Sequence, residues 1–266
     1  MSLKAASMAL RRDPWVWVCA GLFVLLASIY LVPLLGPSVL EGLGWYGNDP
    51  IFLSLLLLAI QLGLGRSSSA GERLFWSYVT AALAFWLIAA IYTALLPLLG
   101  LSGRIVPAVL SDCLYLSYYL ALLLATEVDP EGPTPQWTSE PDRRLNAWGG
   151  VLFAFALLAY FVLIPSRLDP AEYGTWRPSM LLYLGLETLL SVRFAHRASR
   201  ARSEKWRSIF ALLLIASVLS LLLLALEYWA LFPGSPIPDD YGSPWDLVWC
   251  LPFLPALLAA RLQHRV

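Results

Sequence analysis

The chain has 266 residues, of which 59% are hydrophobic and only 14% are charged, and its formal net charge is zero. Soluble domains carry roughly 25% charged residues, so this composition excludes an ordinary water-soluble fold. The apolar stretches are continuous rather than alternating, which excludes a transmembrane β-barrel and favours membrane-spanning helices.

Apolar stretches predict eight transmembrane helices, because roughly 20 helical residues cross the hydrocarbon core of a bilayer. In chain order they are Trp15–Leu35, Ile51–Gly65, Trp76–Leu99, Pro107–Thr126, Ala147–Pro165, Pro178–Val192, Ile209–Phe232 and Pro244–Ala260. The first is too long for the apolar part of a signal peptide, and no cleavage site follows it, so we expect it to stay attached.

Lys and Arg are distributed asymmetrically about these helices. With a cytoplasmic N-terminus, 15 of the 18 lie on the cytoplasmic side, and the others are Arg104, Arg167 and Arg177. Because positive residues concentrate on that side, we expect a multi-pass membrane protein with eight spans and both termini in the cytoplasm. The most basic segment, residues 193–207, predicts either an orientation signal beside anionic lipid or a docking patch for a cytoplasmic partner.

The two halves of the chain resemble each other. Residues 46–66 and 173–193 both begin Tyr-Gly and both end in Arg, 20 residues after the Tyr. In each half a Trp then begins a long helix, Trp76 in the first and Trp206 in the second. The pattern predicts an internal repeat.

The repeat divides the predicted all-α, polytopic fold into two four-helix membrane units, 1–126 and 147–266. Between them, residues 127–146 are polar and proline-rich, which is typical of a linker, and orientation places this linker in the cytoplasm. Four helices per unit give both units the same orientation, so we expect a parallel repeat.

Polar residues at membrane depth are the main candidates for a site, because an ionised group there costs about 2.5–3.5 kcal/mol on insertion scales. Glu187 lies nine residues into the sixth predicted helix, and Gln61 has nearly the same position in the second. Tyr183 is one turn before Glu187 on the same helix face. These residues predict either an interior ligand-binding cavity or interhelical hydrogen bonds that only fix packing.

Three further acidic residues lie near the predicted extracytoplasmic helix ends. We expect Glu227 to face the interior close to Asp246, so that the two carboxylates could bind a cation or hold a proton. Asp246 follows Ser243 in a capping-box pattern, and Asp112 lies near a helix start, so both are predicted mainly to cap helices. If they also bind a ligand, they would line an outward-facing rim with Tyr115, Trp229 and Trp249.

The remaining residues give no chemical motif. The tryptophans near predicted helix ends are expected to form an interfacial belt: Trp15, Trp17, Trp45, Trp76, Trp206, Trp229 and Trp245. Cys19, Cys113 and Cys250 lie in apolar stretches and are predicted to be small buried hydrophobes. No metalloprotease, phosphate-loop or hydrolase motif occurs, and no histidine lies within a predicted helix. We therefore expect no enzyme activity, catalytic residue, metal or cofactor.

One pattern resembles a known class of membrane sensor. Each long Trp-initiated helix leads through a short outer loop to "DCLYLSYYL", residues 112–120, or "SPWDLVWCLPFL", residues 243–254. This is similar to the N-terminal multi-helix membrane regions of bacterial histidine kinases and diguanylate cyclases, although Ile91 stands where the second half has Glu227. The resemblance implies a sensory input module that binds a small or lipophilic ligand and moves a helix toward a cytoplasmic signalling domain or partner protein.

Two other functions stay open at this point. Two four-helix halves with deep polar residues are also typical of a small-molecule or ion transporter. The absence of a catalytic motif also fits a structural subunit of a larger membrane complex. Membrane lipids are expected partners in every case, and nucleic acid in none.

Overall fold

The computed structural model describes residues 13–31, 36–64, 69–101, 105–132, 177–230 and 244–263, together with Gly242 and six helical positions between 148 and 158. Within this part of the chain the fold is all-helical. Its α-helices are α1 (Pro14–Leu31), α2 (Pro37–Gly42), α3 (Asn48–Leu64), α4 (Ala70–Leu98), α5 (Ile105–Glu127), α6 (Arg177–Arg200), α7 (Glu204–Ala230) and α8 (Phe253–Leu262). A π-helix, Leu43–Gly47, leads into α3, and a 3-10 helix, Pro244–Cys250, precedes α8.

Four of the described helices are long and apolar enough to cross a membrane: α1, α4, α7 and the segment Val109–Glu127 of α5. The apolar helix α3 is shorter, with 17 residues. α6 has 24 residues, but its last two turns carry Arg197 and Arg200. The prediction of a helical membrane protein is therefore confirmed at this level.

Every described long helix overlaps a predicted span, but α4 and α7 begin six and five residues before their predicted starts, α6 continues eight residues past its predicted end, and the eighth helix differs more. A single helix over Pro244–Ala260 is wrong, because a turn at Leu251 and Pro252 separates the 3-10 helix from α8. Proline has no backbone N–H to donate, and its ring clashes with the carbonyl of the residue four positions earlier. The fifth predicted helix, Ala147–Pro165, lies largely outside the described residues.

Six helices form a closed ring. Each of α3, α4, α5, α6 and α7 packs against the next in the chain, and α8 packs against both α7 and α3. The stacked rings of Phe52 in α3 and Phe253 in α8, with centroids 5.8 Å apart, lie at the closing contact. α1 lies outside the ring, against α8 and the 3-10 helix. The predicted contact between the seventh and eighth helices is thus confirmed.

An aromatic cluster joins α4 to α7 inside the ring. The ring of Phe75 is 5.2 Å from that of Trp206 and 5.6 Å from that of Phe210. Trp76 and Trp206 are almost fully buried, with 0% and 4% of their surface exposed. Their prediction as interfacial belt residues is therefore wrong, whereas Trp17 and Trp229 are exposed.

The first residues after α5 are held against the turn between α6 and α7. The Glu131 carboxylate accepts hydrogen bonds from the backbone N–H groups of Arg202 and Ser203, at 2.8 and 2.7 Å. Arg193 of α6 forms an ion pair with Glu127 at the end of α5. Much of the basic segment is therefore engaged with the start of the linker, which leaves fewer of its arginines for a docking patch.

A buried ion pair fastens α8 to the start of α1. The Nε–H of Arg261 donates to Oδ2 of Asp13 at 2.9 Å, and its guanidinium lies 5.9 Å from the ring centroid of Trp15. Oδ1 of Asp13 accepts from the backbone N–H of Trp15 at 3.0 Å, which is the hydrogen bond of a helix N-cap. One carboxylate thus caps α1 and pairs with α8.

Candidate functional site

A small cavity lies at the centre of the helix ring. Its volume is about 60 Å³. All six ring helices and the turn before α8 contribute residues to its lining. The lining is mainly aliphatic and aromatic, with Trp76, Trp86, Tyr118 and Phe253 among the rings. Its most polar member is Glu187, beside Ser217 and Ser220.

Glu187 is a fully enclosed carboxylate whose described partners are hydroxyl groups. It is 2% exposed, Oε1 accepts from the Ser217 hydroxyl at 2.6 Å, and the phenol of Tyr119 on α5 lies close enough to interact with it. Within the described residues it makes no salt bridge. A buried ionised carboxylate needs a compensating charge, so this arrangement can take up a proton or a small cation.

The cavity wall also contains a hydrogen-bond donor with no partner among the described residues. Trp76 is fully buried, lines the cavity, and its indole N–H makes no hydrogen bond; the hydroxyl of Thr80, one turn further along α4, is in the same state. Buried donors usually have a partner, and a space of this size holds a few water molecules. The wall is therefore suited to a small hydrogen-bonding occupant.

Asp112 belongs to a second polar cluster, between α5 and α6. It lies seven residues after the first residue of α5, and its carboxylate accepts from the hydroxyls of Tyr183 and Ser179, the latter at 3.2 Å. The prediction that Asp112 caps a helix is wrong, because α5 begins earlier and Asp112 lies in its interior. Tyr183 was expected beside Glu187, and its hydroxyl instead bonds Asp112.

These two clusters form one polar row along α6. Ser179, Tyr183, Glu187 and Ser191 follow one another at intervals of four residues, so they share one face of the helix. The Ser191 and Ser217 hydroxyls are 3.0 Å apart. Twelve residues separate the first serine from the last, which is about 18 Å along a helix axis.

Asp246 lies in a third cluster, outside the ring cavity. Its Oδ2 accepts from the backbone N–H of Gly242 at 2.7 Å, just before the 3-10 helix, which agrees with a capping role. Tyr30 of α1 is close enough to interact with the same carboxylate, and it accepts a hydrogen bond from Asn48 at 2.9 Å. Ser243, the other half of the predicted capping box, lies outside the described residues.

The predicted proximity of Glu227 to Asp246 stays a prediction, because no contact between the two is described, although Asp49 and Asp246 both lie close to Cys250. The acidic residue near Glu227 is Asp49, in the first turn of α3. Asp49 was missed because α3 was predicted to begin at Ile51, which left this residue in a loop. Glu227 is partly buried, as expected for a side chain directed inward.

The other predicted residues have varied surroundings. Gln61 is exposed, so its prediction as the counterpart of Glu187 is wrong, and the preceding Ile60 lines the cavity instead. Tyr115 is partly buried, with its ring 5.7 Å from that of Tyr183. Asp112 and Asp246 lie in separate clusters and do not form the predicted rim. Within the part of the chain described, no group of three or more His, Cys, Asp or Glu could hold a metal ion.

The fold and these clusters define a helical membrane protein with a carboxylate in a closed helix ring. Comparison of the chain with protein-family models, curated proteins and solved structures finds no match.

Proposed function

We propose that this protein is a membrane-embedded sensory or ligand-binding module whose ligand site is the cavity of the helix ring. The observation that carries the proposal is the environment of Glu187. Its carboxylate is buried, its described partners are hydroxyl groups, and it lies on the cavity wall. An intramembrane carboxylate without a cation is a functional group by default, because insertion disfavours it.

The size and lining of the cavity favour a small ligand. Pockets for drug-sized molecules measure about 300–1,000 Å³, far more than the space beside Glu187. A carboxylate among aromatic rings attracts cations, both directly and through the ring faces of Trp76 and Trp86. The ligand proposed is therefore a proton or a small cation such as ammonium, rather than the lipophilic molecule that the resemblance implied.

Binding at Glu187 would act on the contact between α6 and α7. The carboxylate is held by Ser217 of α7, so a ligand that competes for it alters the hydrogen bond between these helices. α7 packs against α8, the last helix described, which offers a route for helix movement toward a cytoplasmic partner. This output agrees with the resemblance to sensor regions of histidine kinases and diguanylate cyclases.

Ligand-dependent stability tests the proposal. The protein is purified in lipid nanodiscs, and its thermal unfolding midpoint is measured across pH and in sodium, potassium, ammonium or choline chloride. A ligand that binds only the folded state at 100 times its Kd adds about 2.7 kcal/mol, so one condition should raise the midpoint. Glu187→Gln should remove that dependence, whereas Gln61→Ala, at an exposed position outside the cavity that does not titrate, should retain it. An unchanged dependence in Glu187→Gln would overturn the proposal.

We also propose the finer topology: eight spans, an inner-membrane location, cytoplasmic termini and two parallel four-helix repeats. The ring order supports the repeat, because α3, α4 and α5 of the first unit are followed by α6, α7 and α8 of the second. The two equivalent tryptophans, Trp76 and Trp206, lie 6.5 Å apart between their rings. In a variant without native cysteines, an impermeant thiol reagent on intact cells should label a cysteine at 239 and not one at 200.

A transporter is the second candidate, favoured by three ring helices from each predicted half around a central carboxylate. A transporter would release its ligand on the opposite side of the membrane. Ammonium-driven pH change inside proteoliposomes, lost in Glu187→Gln, would favour transport over sensing. Binding without flux would favour the sensory module.

A further inference from the structure

The polar row connects Asp112 to Glu187 through phenol groups. Tyr183 donates to Asp112, and the phenol of Tyr119 lies close enough to Glu187 to interact with it. The two rings are stacked at 22°, with centroids 5.8 Å apart, and their phenol groups are close enough to interact electrostatically. A carboxyl, two phenols and a second carboxyl thus follow one another without an intervening apolar layer.

The two ends of the row differ in charge. At one end, Ser179 is two residues after the start of α6, so the Asp112 cluster lies close to that helix end. At the other end, beyond Ser191, the buried Arg193 is paired with Glu127. A guanidinium has no acceptor and keeps its protons, so Arg193 cannot relay a proton to the row from this side.

We propose that the row is a one-sided proton path, along which protons reach Glu187 from the Asp112 end of the bundle and stop there. This inference rests on the proposed function of Glu187 and names the proton as its ligand. In the predicted orientation the Asp112 end is extracytoplasmic, so the protein would respond to the acidity outside the cell.

The transfer is balanced at every oxygen. Asp112, after taking a proton from water, passes it to the oxygen of Tyr183 as that phenol releases its own proton. The released proton passes to Tyr119, directly or through one water molecule, and Tyr119 delivers its proton to Glu187. Both phenols end as they began, and the net change is one proton moved from the first carboxyl to the second.

The surroundings of the two carboxyls allow such a transfer. Asp112 faces Tyr183 on α6 and lies beside Cys113 on its own helix. Glu187 faces Tyr118 and Tyr119 on α5. α7 presents the hydroxyl of Ser217, and the described wall of α4 at the cavity is aromatic and aliphatic.

Sided pH jumps test the path. The protein is reconstituted in one orientation in phosphatidylcholine–phosphatidylglycerol vesicles, and infrared difference spectra follow the C=O band of a protonated carboxyl, assigned to Glu187 by its absence in Glu187→Gln. Acidification at the Asp112 side should protonate Glu187. After acidification at the Arg193 side, protonation of Glu187 should be about 100-fold slower, which is the size of effect that a positioned proton-transfer group has. Equal rates of Glu187 protonation from the two sides would overturn the path. This comparison needs no substitution of a path residue.

Variants then test the residues of the path. Asp112→Asn and Tyr183→Phe should slow protonation of Glu187 by about 100-fold without changing its final extent. Tyr78→Phe, a phenol on α4 away from the row, is the matched control. A normal rate in both path variants, with the Glu187 band intact, would refute the path and leave the binding site standing. Absence of the band in the wild-type protein at every pH would refute both proposals.

Discussion

Replacing Asp13 with asparagine separates the two roles of that residue. Its Oδ1 caps α1 and its Oδ2 accepts from Arg261 of α8, so an asparagine retains a capping oxygen and loses the carboxylate charge. Asp13 is fully buried and Arg261 is 8% exposed. Asp13→Asn therefore leaves a guanidinium largely out of water without its anion.

The expected magnitude follows from that burial. Removing one partner of a buried ion pair costs about 3–5 kcal/mol, because the remaining charge is uncompensated. Arg261→Met should cost a similar amount, since the buried Asp13 carboxylate would then lose the cation of this ion pair. Replacing both residues should cost much less than the two changes summed, because no charge is then left buried alone.

Unfolding in mixed micelles at increasing denaturing-detergent fraction measures these three variants against the wild type. Arg202→Gln is the control, because the Arg202 side chain is 78% exposed and 3.7 Å from Asp129, and such a pair contributes about 0–1 kcal/mol. Additive losses in the double variant, or a loss in Asp13→Asn no larger than the control, would refute the reasoning.

Further predictions concern the contacts around the linker. Gly71→Ala should destabilise the protein by about 1–3 kcal/mol, because the added Cβ would overlap the carbonyl oxygen of Asp129. Gly185→Ala, at an exposed helical position with open space, should instead stabilise it by about 0.5–1 kcal/mol, and the same unfolding assay compares them. Glu131→Ala should cost about 0.5–1.5 kcal/mol through loss of its hydrogen bonds to the backbone N–H groups of Arg202 and Ser203, just before α7. Faster hydrogen exchange at residues 202–205 would show this, and unchanged exchange there would contradict it.

The positions and order of the long helices were predictable because they follow from apolar length, whereas their ends were not: α6 has 24 residues because it continues into the arginine-rich segment after the apolar stretch. It was harder to predict which face of each helix points to the interior, since one residue corresponds to about 100° of rotation about the helix axis. Gln61 and Ile60 illustrate this. The sequence predicted that the polar Gln61 lines the cavity, but in the packed structure Gln61 is exposed and its apolar neighbour Ile60 lines the cavity. The role of Asp112 depended similarly on where α5 begins.

The sequence predicted the α6 residues of the polar row but not their partners on other helices. The spacing of Ser179, Tyr183, Glu187 and Ser191 is local, and it marks one face of a helix without any structure. Their partners come from other helices, and Ser217 lies within a leucine-rich stretch that gives no signal of its own. Such partners are set by how α5, α6 and α7 pack together, which apolar length does not specify.

The closure of the ring by α8 has a consequence for biosynthesis. The five other ring helices leave the ribosome before α8, so for a time the ring lacks one wall between α7 and α3. During that interval Glu187 faces an incomplete enclosure that lipid and water can enter from the side. The arrival of Phe253 against Phe52 then seals the wall, and the same step brings Arg261 to Asp13, near the other end of the chain. Assembly of the enclosure and fastening of α8 to the start of α1 are thus one event, which follows the synthesis of the other ring helices.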